Sequence, residues 1–306
     1  MTGFLGEIGQ KLADRWAALL AVPGLLYLAA VTAAAVLGQG HAVSYPDLSR
    51  KIASWAASPA LKSGGGTALI VAAVLAGSVI AGLAAAAGGR FIEVAWTLPG
   101  KHAPARWLAQ RRRNRSQAAM TIANDEKSPQ AEAAKAMARA DRICLVEADR
   151  PTWIGDRLRA CRVRIKRAYG LDLDAAWPRL WLIVPDTVRA ELSAASDAFS
   201  TSARLTAWAI LYLILGIWWW PAIPVALITG ITAIIKARQA TDNLADLIES
   251  TVDLQGRSLA AQLDENLTGP LTPAIGQVLT RRMRKSRWER GSPTEELGLI
   301  PARYGT

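Results

Sequence analysis

Apolar positions in this chain pool into three long runs separated by polar segments whose hydrophobic residues recur at helical spacing. Trp16–Pro46, Ser63–Gly89 and Leu205–Ile235 contain no Asp, Glu, Lys or Arg. A helix needs about 20 apolar residues to cross a hydrocarbon core of roughly 30 Å. The pattern therefore predicts an all-α, polytopic membrane protein. It predicts two transmembrane helical hairpins (2+2), a cytoplasmic helical domain between them and a helical cytoplasmic tail.

The first span is WAALLAVPGLLYLAAVTAAAVL, residues 16–37. It is too long for a signal-peptide core and reads as a retained helix. Pro23 inside it is tolerable where neighbouring helices re-satisfy the freed carbonyl. The second is TALIVAAVLAGSVIAGLAAAAGG, residues 67–89, in which Ala73, Gly77, Ala81, Ala85 and Gly89 recur every four residues. Small side chains at that spacing suit close helix packing. Between the two spans, Ser44 can cap a short helix with Pro46 in its first turn, and Leu48, Ile52 and Trp55 share one face. That segment reads as an interfacial helix, followed by a flexible SGGGT hinge.

The third run, LTAWAILYLILGIWWWPAIPVALITGITAII, has 31 residues and would measure about 46 Å as one straight helix. Near its midpoint stand Trp218, Trp219 and Trp220, which favour a membrane–water interface, with Pro221 and Pro224, which suit a helix start. The run thus reads as a hairpin that turns at the tryptophans, with Arg204 and Lys236 flanking both ends on one side. Each arm is only about 15 apolar residues, near 23 Å, so snorkelling by the two cations must help it span. A re-entrant hairpin would keep the same sidedness, whereas a single tilted span would strand the C-terminal tail outside.

Charge orients these spans. Of 36 Lys and Arg residues, only Arg50, Lys51 and Lys62 fall in the short segment 38–66. The positive-inside rule places that segment outside and the remaining polar chain, with both termini, in the cytoplasm of a cell membrane. The resulting organisation is a cytoplasmic N-terminus (1–15), a first hairpin (16–90), a basic cytoplasmic domain (91–203), a Trp-rich hairpin (204–238) and a helical tail (239–306).

The net charge of +11 concentrates in the polar segments. Arg111, Arg112, Arg113 and Arg115 follow the second span, and Arg157, Arg159, Arg162 and Arg164 lie on a basic helix further on. Both clusters suit anionic lipid head groups or an acidic cytoplasmic protein partner. Nucleic acid is disfavoured, because no aromatic-basic fold signature accompanies them. Trp177, Pro178, Leu180, Trp181, Leu182 and Ile183 form a candidate apolar plug beneath the membrane. In the tail, Leu244, Leu247, Ile248, Val252 and Leu259 share a helical face suited to packing on the cytoplasmic domain or to pairing in a homo-oligomer.

Candidate chemistry is sparse. The two cysteines, Cys144 and Cys161, match no zinc or redox spacing, and the two histidines, His41 and His102, lie far apart. No nucleotide loop or nucleophile elbow is present, so no catalytic residue, metal or cofactor is assigned. Asp156, Asp172 and Asp174 lie among arginines and read as surface ion pairs.

The string PTxxGDxLRA, followed by RAYGLD, WPRLW, VPD, the Trp-rich hairpin and a GPLTPAIGQVLTR tail, resembles a pattern in uncharacterised actinobacterial multi-pass integral membrane proteins. The resemblance covers roughly residues 150–285 and implies no activity. The expected function is a non-enzymatic membrane anchor or adaptor presenting a basic platform. The alternative is a homo-oligomeric ion channel or pore, with a membrane-acting defence effector as its special case.

Overall fold

The computed structural model describes residues 21–40, 42, 44–57, 64–100, 103, 105–125, 129–143, 146, 148–263 and 269–285. The expected N-terminal segment, residues 16–20 of the first span, both histidines, Cys144 and the tail beyond residue 285 lie outside the described residues. All regular structure among the described residues is helical. The helices are α1 (Val22–Leu37), α2 (Tyr45–Ala56), α3 (Gly64–Thr97), α4 (Ala105–Ala123), α5 (Gln130–Ile143), α6 (Trp153–Tyr169), α7 (Leu173–Ile183), α8 (Asp186–Leu215), α9 (Ala222–Gln262) and α10 (Pro273–Arg284).

Helices α3, α8 and α9 are each long and apolar enough to cross a membrane. Only 17%, 39% and 22% of their most apolar windows are buried within the chain, so most of that surface needs an apolar surrounding. Leu69, Ile80, Ile228 and Ile231 are among the large side chains left exposed on them. Helix α1 is more apolar on average than these but contributes only 16 described residues.

Two features depart from the pattern along the chain. The expected SGGGT hinge is helical from Gly64, since α3 runs continuously through the glycines. More consequentially, neither arm of the Trp-rich hairpin starts or stops at its flanking cation. Helix α8 begins at Asp186 and α9 ends at Gln262, which makes them about 45 and 62 Å long. Arg204 and Lys236 therefore lie within continuous helices, and the short apolar arms are parts of much longer rods.

The described residues divide into two compact units, one of those up to Leu158 with Glu191–Ala245 and one of Arg159–Ala190 with those from Asp246 onward. In the first unit, α1 packs on α3 through Gly24, where an added Cβ would fall on the Ser78 backbone, and Gly77 sits beneath Leu28. Further along α3, Gly88 faces Ala207 and Gly89 faces Arg204, so α8 lies close against that end. Tyr27, Trp208 and Tyr212 form an aromatic ladder between α1 and α8, with ring centroids 5.8 and 5.3 Å from Tyr27.

In the second unit, buried Leu171, Leu180, Val252, Leu259, Leu279 and Met283 form the apolar interior. The RAYGLD string makes the corner from α6 to α7. Gly170 adopts φ +66°, and Asp172 caps α7 by accepting the Asp174 N–H at 3.0 Å. Two backbone approaches close this corner on α10, since a Cβ on Gly170 would strike the Pro273 carbonyl and one on Gly276 would strike the Tyr169 carbonyl.

Candidate functional site

Three kinds of surface can carry function here: the basic clusters, the hairpin turn and a cavity among the long helices. The basic clusters are less uniform than their sequence suggests. Arg111 is exposed and stacks over Trp107, 5.5 Å from the ring centroid, and Arg115 is also exposed. Arg112 and Arg113 instead turn inward. Arg112 donates to the Ile143 and Arg150 carbonyls and pairs with Asp156 at 2.9 Å. Arg113 donates twice to the Ala148 carbonyl, at 3.1 and 3.0 Å.

Arg157 is only 5% exposed and binds Asp242 at 2.8 Å. Arg159 is half-buried, while exposed Arg162 and Arg164 pair with Asp174 at 3.3 Å and Glu249 at 3.2 Å. Periodicity alone could not separate these roles, because an arginine stem can lie flat and send its fork inward from a polar helix face.

Asp156 corrects the expectation of surface pairing, since its side chain is 4% exposed. Its Oδ1 accepts the backbone N–H groups of Asp149 and Arg150 at 3.1 and 2.9 Å, while Oδ2 faces Arg112. A carboxylate so deep needs this full set of partners. The neighbouring residues complete a clamp. Thr152 Oγ1 donates to the Trp96 carbonyl at 2.6 Å and accepts the Gly155 N–H at 3.0 Å, and Arg150 donates to the Thr97 carbonyl. Gly155 has no room for a side chain beside the Trp96 carbonyl. The PTWIGD string thus ties the start of α6 to the end of α3. Its role is architectural.

Asp172 and Asp174 pair with Arg284 and Arg162 respectively, both nearer the surface. Tyr169 donates to Asp253 at 2.8 Å, and that bond holds the phenol above its ordinary pKa.

At the hairpin, residues 216–221 form the turn, closed by bonds such as Trp219 N–H to the Leu215 carbonyl at 3.0 Å. Trp218 and Trp220 are exposed, whereas Trp219 is half-buried and its indole donates to the Ala42 carbonyl at 2.9 Å. Gln39 donates to the Ile217 carbonyl at 2.6 Å. The turn is therefore pinned to the link between α1 and α2. Pro221 lies in the turn and Pro224 in the first turn of α9, where a missing N–H costs nothing.

The small-residue positions on α3 divide by depth. Ala73 is exposed, Gly77 and Ala81 are half-buried, and Ala85 and Gly89 are buried. Each four-residue step advances about 40° around a helix, so a strict four-residue stripe winds away from its neighbour. The buried line instead runs Ser78, Gly82, Ala85, Gly89, Ile92.

Beside that line lies a cavity of about 640 Å³. Pro23, Gly82, Ala86, Leu205 and Trp208 make its apolar part. Thr201, Arg204, Lys236, Gln239 and Asn243 make its polar part. Thr201, Arg204 and Trp208 occupy one face of α8, while Lys236, Gln239 and Asn243 occupy one face of α9. Arg204 donates to Thr201 at 3.1 Å, and its stem runs against Gly89, whose missing Cβ would lie 2.7 Å from Cγ. Among the described residues, no carboxylate pairs with Arg204 or Lys236.

Along the sequence these cations stand only as snorkelling flanks of the hairpin. The available signal was their placement, each 16 residues from Trp220, which sets both at one depth once the chain turns there. Among the described residues no cluster of His, Cys, Asp or Glu is arranged to hold a metal ion. The chain matches no protein-family model, no curated protein and no solved structure.

Proposed function

We propose that this protein is a non-enzymatic, multi-pass anchor of the cell membrane, built on a 2+2 helical hairpin plan. It presents a basic cytoplasmic surface to a protein partner and to anionic lipid. One observation carries the reading: charge is segregated between the two ends of the apolar bundle. At one end the Trp-rich turn is fastened to the link after α1, and that region is nearly free of cations. At the other end Arg90 follows directly on Gly89, which packs against Arg204. The positive-inside rule makes the second end cytoplasmic, together with the polar chain on either side of the second hairpin. The solvent-facing platform residues are then Arg111 and Arg115 in the first unit, and Arg162 and Arg164, with half-buried Arg159, in the second.

A cysteine scan tests the topology. In a variant lacking the native cysteines, Trp218→Cys should react with an impermeant maleimide added to intact cells, and Arg115→Cys should react only after the membrane is opened. Labelling of both, or of Arg115→Cys alone, in intact cells would overturn the orientation.

The second reading, a homo-oligomeric channel, draws on the outer half of α3. Ala68, Ala72 and Ala76 lie there at four-residue spacing and are uncovered within one chain. Small side chains so arranged favour association with another helix. Reconstituted protein should give no ion flux above protein-free vesicles if it is an anchor. Selective flux would replace that reading with the channel.

A further inference from the structure

We propose that the cavity between α3, α8 and α9 is a binding site for one anionic membrane phospholipid, with Arg204 and Lys236 holding its phosphodiester. The inference rests on the membrane reading above and adds a defined ligand site to it.

The lining forms a gradient along the bundle. Asn243, Gln239 and Thr201 are exposed at the polar rim, Arg204 and Lys236 come next, and Leu205, Trp208 and Gly82 lie further into the uncharged windows. Trp208 is one helical turn beyond Arg204, about 6 Å along the axis. A ligand that fits must carry an anionic head and an apolar body within that short distance. A soluble anion would leave Trp208 and Leu205 uncovered, and a neutral lipid would leave two cations without a counter-charge.

Charge is the decisive element. Among the described residues no acidic one lines the cavity, and two positive charges face it. The Arg204 fork suits two phosphate oxygens, the Lys236 ammonium acts as a point charge, and Gln239 and Asn243 add neutral donors. The arginine is also preset. Its stem is held by the Gly89 backbone and its fork by Thr201, so little side-chain freedom remains to be lost on binding. The platform arginines lack this combination, since among them Arg162 and Arg164 already pair with carboxylates.

The test uses full-length protein in phosphatidylcholine nanodiscs doped with phosphatidylglycerol, with bound lipid counted by native mass spectrometry. Wild type should retain one phosphatidylglycerol per chain through mild detergent exchange. Lys236→Gln removes an exposed cation without disturbing packing and should weaken retention about tenfold, the value of one charged hydrogen bond. Arg204→Gln with Lys236→Gln should abolish it. Ala86→Leu, which fills the apolar part, should reduce it with both cations intact. Lys51→Gln, in α2, should change nothing.

Undiminished retention in Lys236→Gln and Ala86→Leu would overturn the site. Displacement of the lipid by soluble glycerol phosphate at equal concentration would overturn the lipid assignment in favour of a free phosphate. Extraction of the protein from membranes by alkaline carbonate would instead defeat the anchor reading itself. Full insertion without retained lipid would defeat this inference alone.

Discussion

Replacing Asp156 by alanine should cost about 3–5 kcal/mol, the largest single loss expected anywhere in the chain. The change leaves Arg112 without its buried counter-ion and leaves the N–H groups of Asp149 and Arg150 without their acceptor. Asp156→Asn keeps an oxygen for those N–H groups but still leaves Arg112 without its counter-ion, so it should cost less than alanine, about 2–3 kcal/mol. Pairing Asp156→Leu with Arg112→Met should recover part of the deficit, since an apolar pair of similar volume avoids the uncompensated charge. Unfolding in mild detergent, followed by far-UV circular dichroism, measures all three. If Asp156→Ala unfolds within about 1 kcal/mol of wild type, the clamp is not a stabilising element.

Gly276→Ala should destabilise the corner between α6, α7 and α10 by about 2–3 kcal/mol. A methyl group there meets the Tyr169 carbonyl, which is backbone and cannot rotate aside. Gly170→Ala should act at the same joint by two routes. Its φ of +66° costs a side-chain-bearing residue about 1–2 kcal/mol, and its Cβ would also collide with the Pro273 carbonyl. Because both changes open one contact, the double variant should lose less than the sum of the singles. Limited proteolysis between α9 and α10 reads the effect directly, with faster cleavage expected in each variant. Unchanged cleavage in Gly276→Ala would show that α10 is not held by this approach.

These glycines illustrate how a string can be legible without being intelligible. GPLTPAIGQVLTR and RAYGLD stand out in the chain as marked patterns, yet nothing in either indicates that the other exists. Only the fold brings Tyr169 over Gly276. PTWIGD is similar, since Asp156 reads as one more acid among arginines until its neighbours in space are known.

The long uncharged runs, the turn at Trp218–Pro221 and the amphipathic helix at Tyr45–Ala56 were determined by the sequence alone. Hydrocarbon exclusion of charge and helical periodicity are local rules that act on consecutive residues. The tertiary structure decided which arginines turn inward, which small residues on α3 are covered and how far α8 and α9 continue past their flanking cations. It also placed Arg204 and Lys236 over one cavity. Each of those outcomes depends on what lies opposite a residue in space, and a partner dozens of residues away leaves no mark on the local pattern.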